Sequence, residues 1–152
     1  YLFLFSVLIF EGLNQAEFEI KLNIIYLIFI CICSDLGGFV FGKFFKGKKL
    51  TNISPNKTFS GSLGSFILPL ILIPIFYNIL PENYNNFIAL SLFSIVVSFF
   101  SQIGDLFISY LKRRASVKDT GDLLPGHGGI LDRIDGILLA VPIGLILWKF
   151  LN

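Results

Sequence analysis

Phe87–Leu111 reads FIALSLFSIVVSFFSQIGDLFISYL, 25 residues that contain one charged side chain, Asp105. About 20 predominantly apolar residues cross the hydrocarbon layer as a helix, so this stretch reads as a membrane span. Its polar residues are not scattered. Ser91, Ser94, Ser98, Ser101, Asp105 and Ser109, with Lys112 just beyond, recur at steps of three and four, which stacks them on one helical face. Serines alone suit close packing and interhelical hydrogen bonds with a neighbouring span. Asp105 points further, because an ionised carboxylate in a span is costly unless it meets water or a cation.

Three more apolar runs flank this one. They cover Leu22–Phe41, which contains Asp35, Gly37 and Gly38, then Ser62–Leu80 and Ile134–Leu151. Pro69, Pro74 and Pro142 fall inside them, as membrane helices tolerate when neighbours satisfy the freed carbonyls. Across the 152 residues, 55% are hydrophobic, 14% are charged and the mean hydropathy is +0.80. Soluble domains average about 25% charged residues, so the expected fold is an all-α polytopic transmembrane helix bundle. No linker divides the chain, and residues 1–152 read as one integral membrane domain. Tyr1 opens inside an apolar run and the chain lacks methionine. Residues 1–10 therefore read as the tail of a truncated span, and the chain as the C-terminal part of a longer one. That segment has neither the basic start nor the small-residue cleavage site of a signal peptide. A net charge of +2 does not suggest nucleic acid as a partner. Cys31 and Cys33 have no partners at metal spacing and read as packing residues.

Lys43, Lys46, Lys48, Lys49 and Lys57 fall between the first two runs, and Lys112, Arg113, Arg114, Lys118 and Arg133 between the last two. The connector from Pro81 to Asn86 carries Glu82 and no base. The positive-inside rule puts both basic loops in the cytoplasm, and alternation of successive spans agrees, with Lys21 and Lys149 as minor exceptions. In a bacterial cell the expected location is the inner membrane, with any chemistry on the cytoplasmic side.

The second basic loop is chemically dense. Ser109–Asp135, SYLKRRASVKDTGDLLPGHGGILDRID, holds five bases, four carboxylates, the only histidine and four glycines. Phosphate plus a divalent metal is the most economical reason for such a cluster. Asp132 and Asp135 fall on one side of the opening turn of the last helix. They suit capping there, but with Asp105 they can also hold Mg²⁺, which takes oxygen ligands and often bridges to substrate phosphates. Lys112, Arg113, Arg114 and Lys118 can neutralise a polyphosphate, or bind anionic lipid headgroups. Gly121, Gly126, Gly128 and Gly129 allow backbone N–H groups to approach phosphate oxygens. His127 reads as site lining rather than a metal ligand. Residues 42–49, GKFFKGKK, imitate a nucleotide-binding phosphate loop, but Lys49 replaces the required hydroxyl and a membrane helix replaces the required strand.

These elements, in this order, resemble the C-terminal half of the phosphatidate cytidylyltransferase (CDP-diacylglycerol synthase) family. The matching signature is Ser109, Lys112-Arg113, Lys118-Asp119, Pro125-Gly126-His127-Gly128-Gly129 and Asp132-Arg133-Ile134-Asp135. Ser101-Gln102-Ile103-Gly104-Asp105 and Ser54-Pro55-Asn56-Lys57-Thr58 are similar to upstream family elements, as are Asp35 and Gly42-Lys43. Two positions depart from the pattern: Ser60 stands where an acidic residue is expected, and Gly136 where serine is frequent. The resemblance implies Mg²⁺-dependent transfer of a cytidylyl group from CTP to phosphatidate, with membrane lipids as surroundings and a homodimer compatible with it. It further implies catalytic roles for Asp105, Asp132, Asp135 and Lys112, the three aspartates holding the metal. Lys57, Ser109, Arg113, Lys118, His127, Gly128 and Gly129 would bind substrate. The competing class is a transporter or channel with Asp35 and Asp105 as an ion path, which does not account for the bases and glycines on one loop. The CDP-alcohol phosphatidyltransferases fit poorly, because Asp135-Gly136-Ile137-Leu138-Leu139-Ala140 breaks their motif.

Overall fold

The computed structural model describes residues 6–7, 9–10, 18–51, 54, 57–79, 86–117 and 131–151, with side chains omitted at 18–20, 131–133 and 149–151. Among the described residues four long helices follow one another: α1 (Phe18–Phe45), α2 (Phe59–Tyr77), α3 (Phe87–Arg114) and α4 (Leu131–Leu151). The only extended pairing there is an isolated antiparallel bridge between Lys49 and Thr58. The all-α helical bundle expected from the hydropathy pattern is what forms. Lys21–Phe45, Phe59–Tyr77 and Phe87–Arg114 are each long and apolar enough to cross a bilayer, and Ile134–Trp148 is a shorter apolar helix. The chain is thus an integral membrane protein.

Helix ends differ from the sequence boundaries for local reasons. α1 runs unbroken through Asp35, Gly37 and Gly38 to Phe45. α2 starts at Phe59 because the Thr58 side chain accepts from the Gly61 N–H at 3.1 Å, satisfying one of the unpaired donors of a first turn. Asn86 does the same for α3, accepting from Ile88 and Ala89. The last turn of α3 carries Lys112, Arg113 and Arg114, whose charge complements the negative end of the helix dipole.

The closest pairings are α1 on α2 and α3 on α4, with α1 also touching α3 and α4. Without water to drive association, spans pack through small residues that let backbones approach. A methyl group added at Gly64 would stand 2.6 Å from the Gly37 carbonyl oxygen, and one at Gly136 would stand 2.7 Å from Ser101 Oγ. Only glycine permits those approaches. At the opposite end, Tyr26, Leu27 and Ile30 of α1 pack with Ile73 of α2, Phe93 and Val97 of α3, and Val141 and Trp148 of α4. The Phe93 and Trp148 rings meet edge-on at 5.0 Å. Tyr26 shares a 2.8 Å hydrogen bond with Ser94, whose hydroxyl also donates to the Leu90 carbonyl. Ser94, Ser98 and Ser101 are buried, so the serine face of α3 points inward. Cys31 and Cys33 are buried as well.

Candidate active site

The C-terminal ends of α1 and α3 meet the N-terminal ends of α2 and α4. There α1, α2, α3 and the 46–58 segment enclose a cavity of about 340 Å³. Asp35 and Gly38 line it from α1, Ser62 and Ser65 from α2, and Gln102 and Asp105 from α3. Ser54 and Lys57 complete the wall from the connecting segment. That segment folds back as a narrow loop. Leu50 N–H donates to Lys57 O at 2.8 Å, Phe59 N–H to Lys48 O at 3.0 Å and Lys57 N–H to Ser54 O at 3.1 Å. Ser60 Oγ accepts from the Gly47 N–H at 3.2 Å and lies 3.1 Å from Thr58 Oγ1. An acidic side chain is thus absent at position 60, and the serine there ties down the base of the loop.

The fold-back delivers Lys57 to Asp105, with which it forms an ion pair. The other carboxylate oxygen of Asp105 is 3.4 Å from the Ser109 hydroxyl, one helical turn later. Asp105 is brought beside the start of α4 because Gly104 and Ser101 pack on Asp135 and Gly136. Asp135 is buried. Its Oδ1 accepts from the Gly136 N–H at 2.9 Å, and its Oδ2 lies 3.7 Å from Lys112 Nζ. Asp35 lines the same cavity as Lys57 and Asp105. Asp105 on α3 and Asp135 on α4 are thus each met by a lysine, Lys57 and Lys112. A polyphosphate entering such a site needs added positive charge, because like charges at short range in a low-dielectric setting repel by several kcal/mol.

The donor set is compatible with a hard cation such as Mg²⁺. The cavity wall offers carboxylates, hydroxyls and an amide, with no thiol or imidazole among its lining residues, and hard oxygen donors of this kind match a hard cation. Among the described residues no three Asp, Glu, His or Cys side chains are grouped closely enough to hold a metal ion by themselves. Mg²⁺ does not require such a group, since it keeps several waters and binds through one or two carboxylates plus substrate phosphates.

Of the candidate site residues, the structure brings Lys57 and Ser109 to Asp105, and Lys112 to Asp135. Arg113 does not join them. It is exposed at the end of α3 and its Nη1 donates to the Val117 carbonyl at 3.3 Å, because the helix turns it one position away from the Asp105 face. The side chain of Asp132, in the first turn of α4, lies outside the described residues, as do Lys118, His127, Gly128 and Gly129. The structure adds Ser62, Ser65 and Gln102, and sets Asp35 on the same cavity wall. Ser62 donates to Gln102 Oε1 at 2.5 Å, while the buried Gln102 Nε2 has no acceptor among the described residues. The legible signals were Ser62 and Ser65 at one helical turn, and Gln102 one turn before Asp105.

Comparison with known proteins gives the family of the chain. The model of the cytidylyltransferase family matches residues 1–151. A phosphatidate cytidylyltransferase of Rickettsia typhi is 37% identical over 147 residues, covering 91% of this chain and 62% of the relative. One from Bacillus subtilis is 42% identical over 123 residues, covering 77% of this chain and 45% of the relative. A Staphylococcus epidermidis protein of the same name is 42% identical over 121 residues, covering 79% and 46%. The chain thus spans between about half and three fifths of the length of these relatives. A family match across nearly every residue, together with a lysine-braced carboxylate site at one end of an apolar bundle, shows that the chain belongs to the cytidylyltransferase family.

Proposed function

We propose that the protein transfers a cytidylyl group from CTP to phosphatidate, giving CDP-diacylglycerol and pyrophosphate in phospholipid biosynthesis. The observation that carries this reading is the pairing of Asp105 with Lys57 and of Asp135 with Lys112 at one end of the bundle, beside a cavity that Asp35 also lines, in a chain of this family. A phosphate monoester has a second pKa near 6, so the lipid nucleophile is largely ionised at neutral pH and needs no strong base. The obstacle is the approach of two anions. Lys57 and Lys112 lower it by presenting positive charge to the attacked α-phosphate and the departing pyrophosphate. Gln102 at the cavity wall and Ser109 beside Asp105 orient oxygens, and positioning with electrostatics carries the rate, as in phosphoryl transfer generally. Mg²⁺, when bound, would neutralise phosphate charge, with Asp105, Asp132 and Asp135 as the residues that hold it. Lys118 and the His127-Gly128-Gly129 turn complete the nucleotide pocket in this reading.

The same reading makes residues 1–152 one membrane domain and places the site on the cytoplasmic side of a bacterial inner membrane, where CTP arrives from water while the acyl chains stay in lipid. An ion path through Asp35 and Asp105 is disfavoured by Lys57, whose ammonium occupies Asp105. The test is the full-length protein in detergent with phosphatidate, Mg²⁺ and each nucleoside triphosphate in turn, followed by pyrophosphate release. Release with CTP alone is expected. No release with CTP rejects the assignment.

A further inference from the structure

From Leu36 to Pro81 the chain carries five lysines and no carboxylate. Lys57 is engaged by Asp105. The other four, Lys43, Lys46, Lys48 and Lys49, are exposed around the C-terminal end of α1, and no carboxylate pairs with them among the described residues. Four charges within seven residues repel one another unless something anionic gathers there.

The aromatic residues between them decide what that is. Phe39, Phe44 and Phe45 are 66%, 79% and 69% exposed. Rings in that setting are poorly placed in water, and free ammonium groups are poorly placed in hydrocarbon. Interleaved, they match the boundary between acyl chains and headgroups, where rings sink into the apolar side and lysines reach outward. The patch also borders the cavity: Lys43 Nζ lies 5.6 Å from the centre of the Phe39 ring, and Phe39 lines the cavity wall. A soluble nucleotide would account for the lysines but not for the exposed rings.

We propose that the basic, aromatic turn of residues 39–49 is a docking surface for anionic lipid headgroups, which it gathers at the Phe39 side of the cavity. Docking stands on the charge and the rings alone. Delivery of a phosphate-bearing lipid to the cavity rests on the cytidylyltransferase reading.

The test uses full-length protein in phosphatidylcholine nanodiscs with graded phosphatidylglycerol and a spin-labelled phosphatidylglycerol as probe. In K43Q/K46Q/K48Q/K49Q, probe association is expected to fall at least about fivefold, the factor matching about 1 kcal/mol for a single lysine at an anionic surface. The corresponding Lys→Arg quadruple variant should retain it. If the glutamine variant fails to insert, Phe44→Ser with Phe45→Ser is the second probe, with reduced association expected at unchanged charge. In turnover assays the glutamine variant should raise KM for phosphatidate, expressed as mole fraction, with kcat and KM for CTP unchanged. Unchanged probe association overturns the docking surface. A rise in KM for CTP alone overturns it in favour of a nucleotide site. If no variant nor the parent turns over CTP, the functional reading fails while probe association still decides the docking.

Discussion

Gly64→Ala separates helix propensity from helix contact, because the two predict opposite signs. Alanine is favoured over glycine in a helix interior by about 0.8–1.0 kcal/mol, so α2 taken alone should gain stability. In the bundle the added methyl group would stand 2.6 Å from the Gly37 carbonyl oxygen and 2.5 Å from Phe41 Cγ, against an ordinary contact distance of 3.4–4 Å. Backbone and ring base cannot swing aside as a flexible tip would, so α1 and α2 must part by most of an ångström. Overpacking of that kind costs about 1–3 kcal/mol, which exceeds the propensity gain and leaves a net loss of about 1 kcal/mol. For a protein of roughly 150–250 residues that corresponds to a fall in Tm of about 2–4 °C. Because Asp35 and Gly38 line the cavity on α1 and Ser62 and Ser65 on α2, parting the helices should also lower turnover several-fold. The assay is thermal unfolding of the full-length protein in detergent, beside Leu63→Ala, whose side chain is 63% exposed and should leave Tm nearly unchanged. A rise in Tm for Gly64→Ala would refute the close crossing and, with it, the shape assigned to the cavity.

The contrast between neighbouring bases tests the site directly. Lys112→Gln should lower kcat by about 10²-fold, the scale of losing one electrostatic stabiliser, whereas Arg113→Gln should stay within about threefold, because Arg113 is exposed and donates to the Val117 carbonyl at the end of α3; the reverse order would reassign the phosphate-facing side of that helix. Tyr26→Phe should destabilise by only about 0.6 kcal/mol, since Ser94 keeps its bond to the Leu90 carbonyl; a loss several times larger in reversible unfolding would mean that the hydroxyl supports more than one partner. Chelation of divalent ions should abolish pyrophosphate release and added Mg²⁺ should restore it, while turnover unaffected by chelator would remove the metal from Asp105 and Asp135.

Much of this was legible in one dimension because the bilayer is a severe solvent. Hydrocarbon demands long apolar helices with internally satisfied backbones, so the spans, and the orientation that their flanking lysines and arginines imply, follow from residue order alone. The same severity singles out Asp105 and Asp35, whose charge in an apolar run requires a reason, and the spacing of the serines around Asp105 identifies the inward face of α3. Periodicity says which face of a helix is polar, but not which helix it meets. That Lys57, 48 residues before Asp105, becomes its partner depends on the fold-back from Lys48 to Phe59 and its backbone hydrogen bonds. That Asp35 belongs to the cavity while Arg113 does not depends on how α1 crosses α2 and how α3 ends. Those crossings are set by glycines whose absent side chains carry no signal until a neighbouring backbone fills the space.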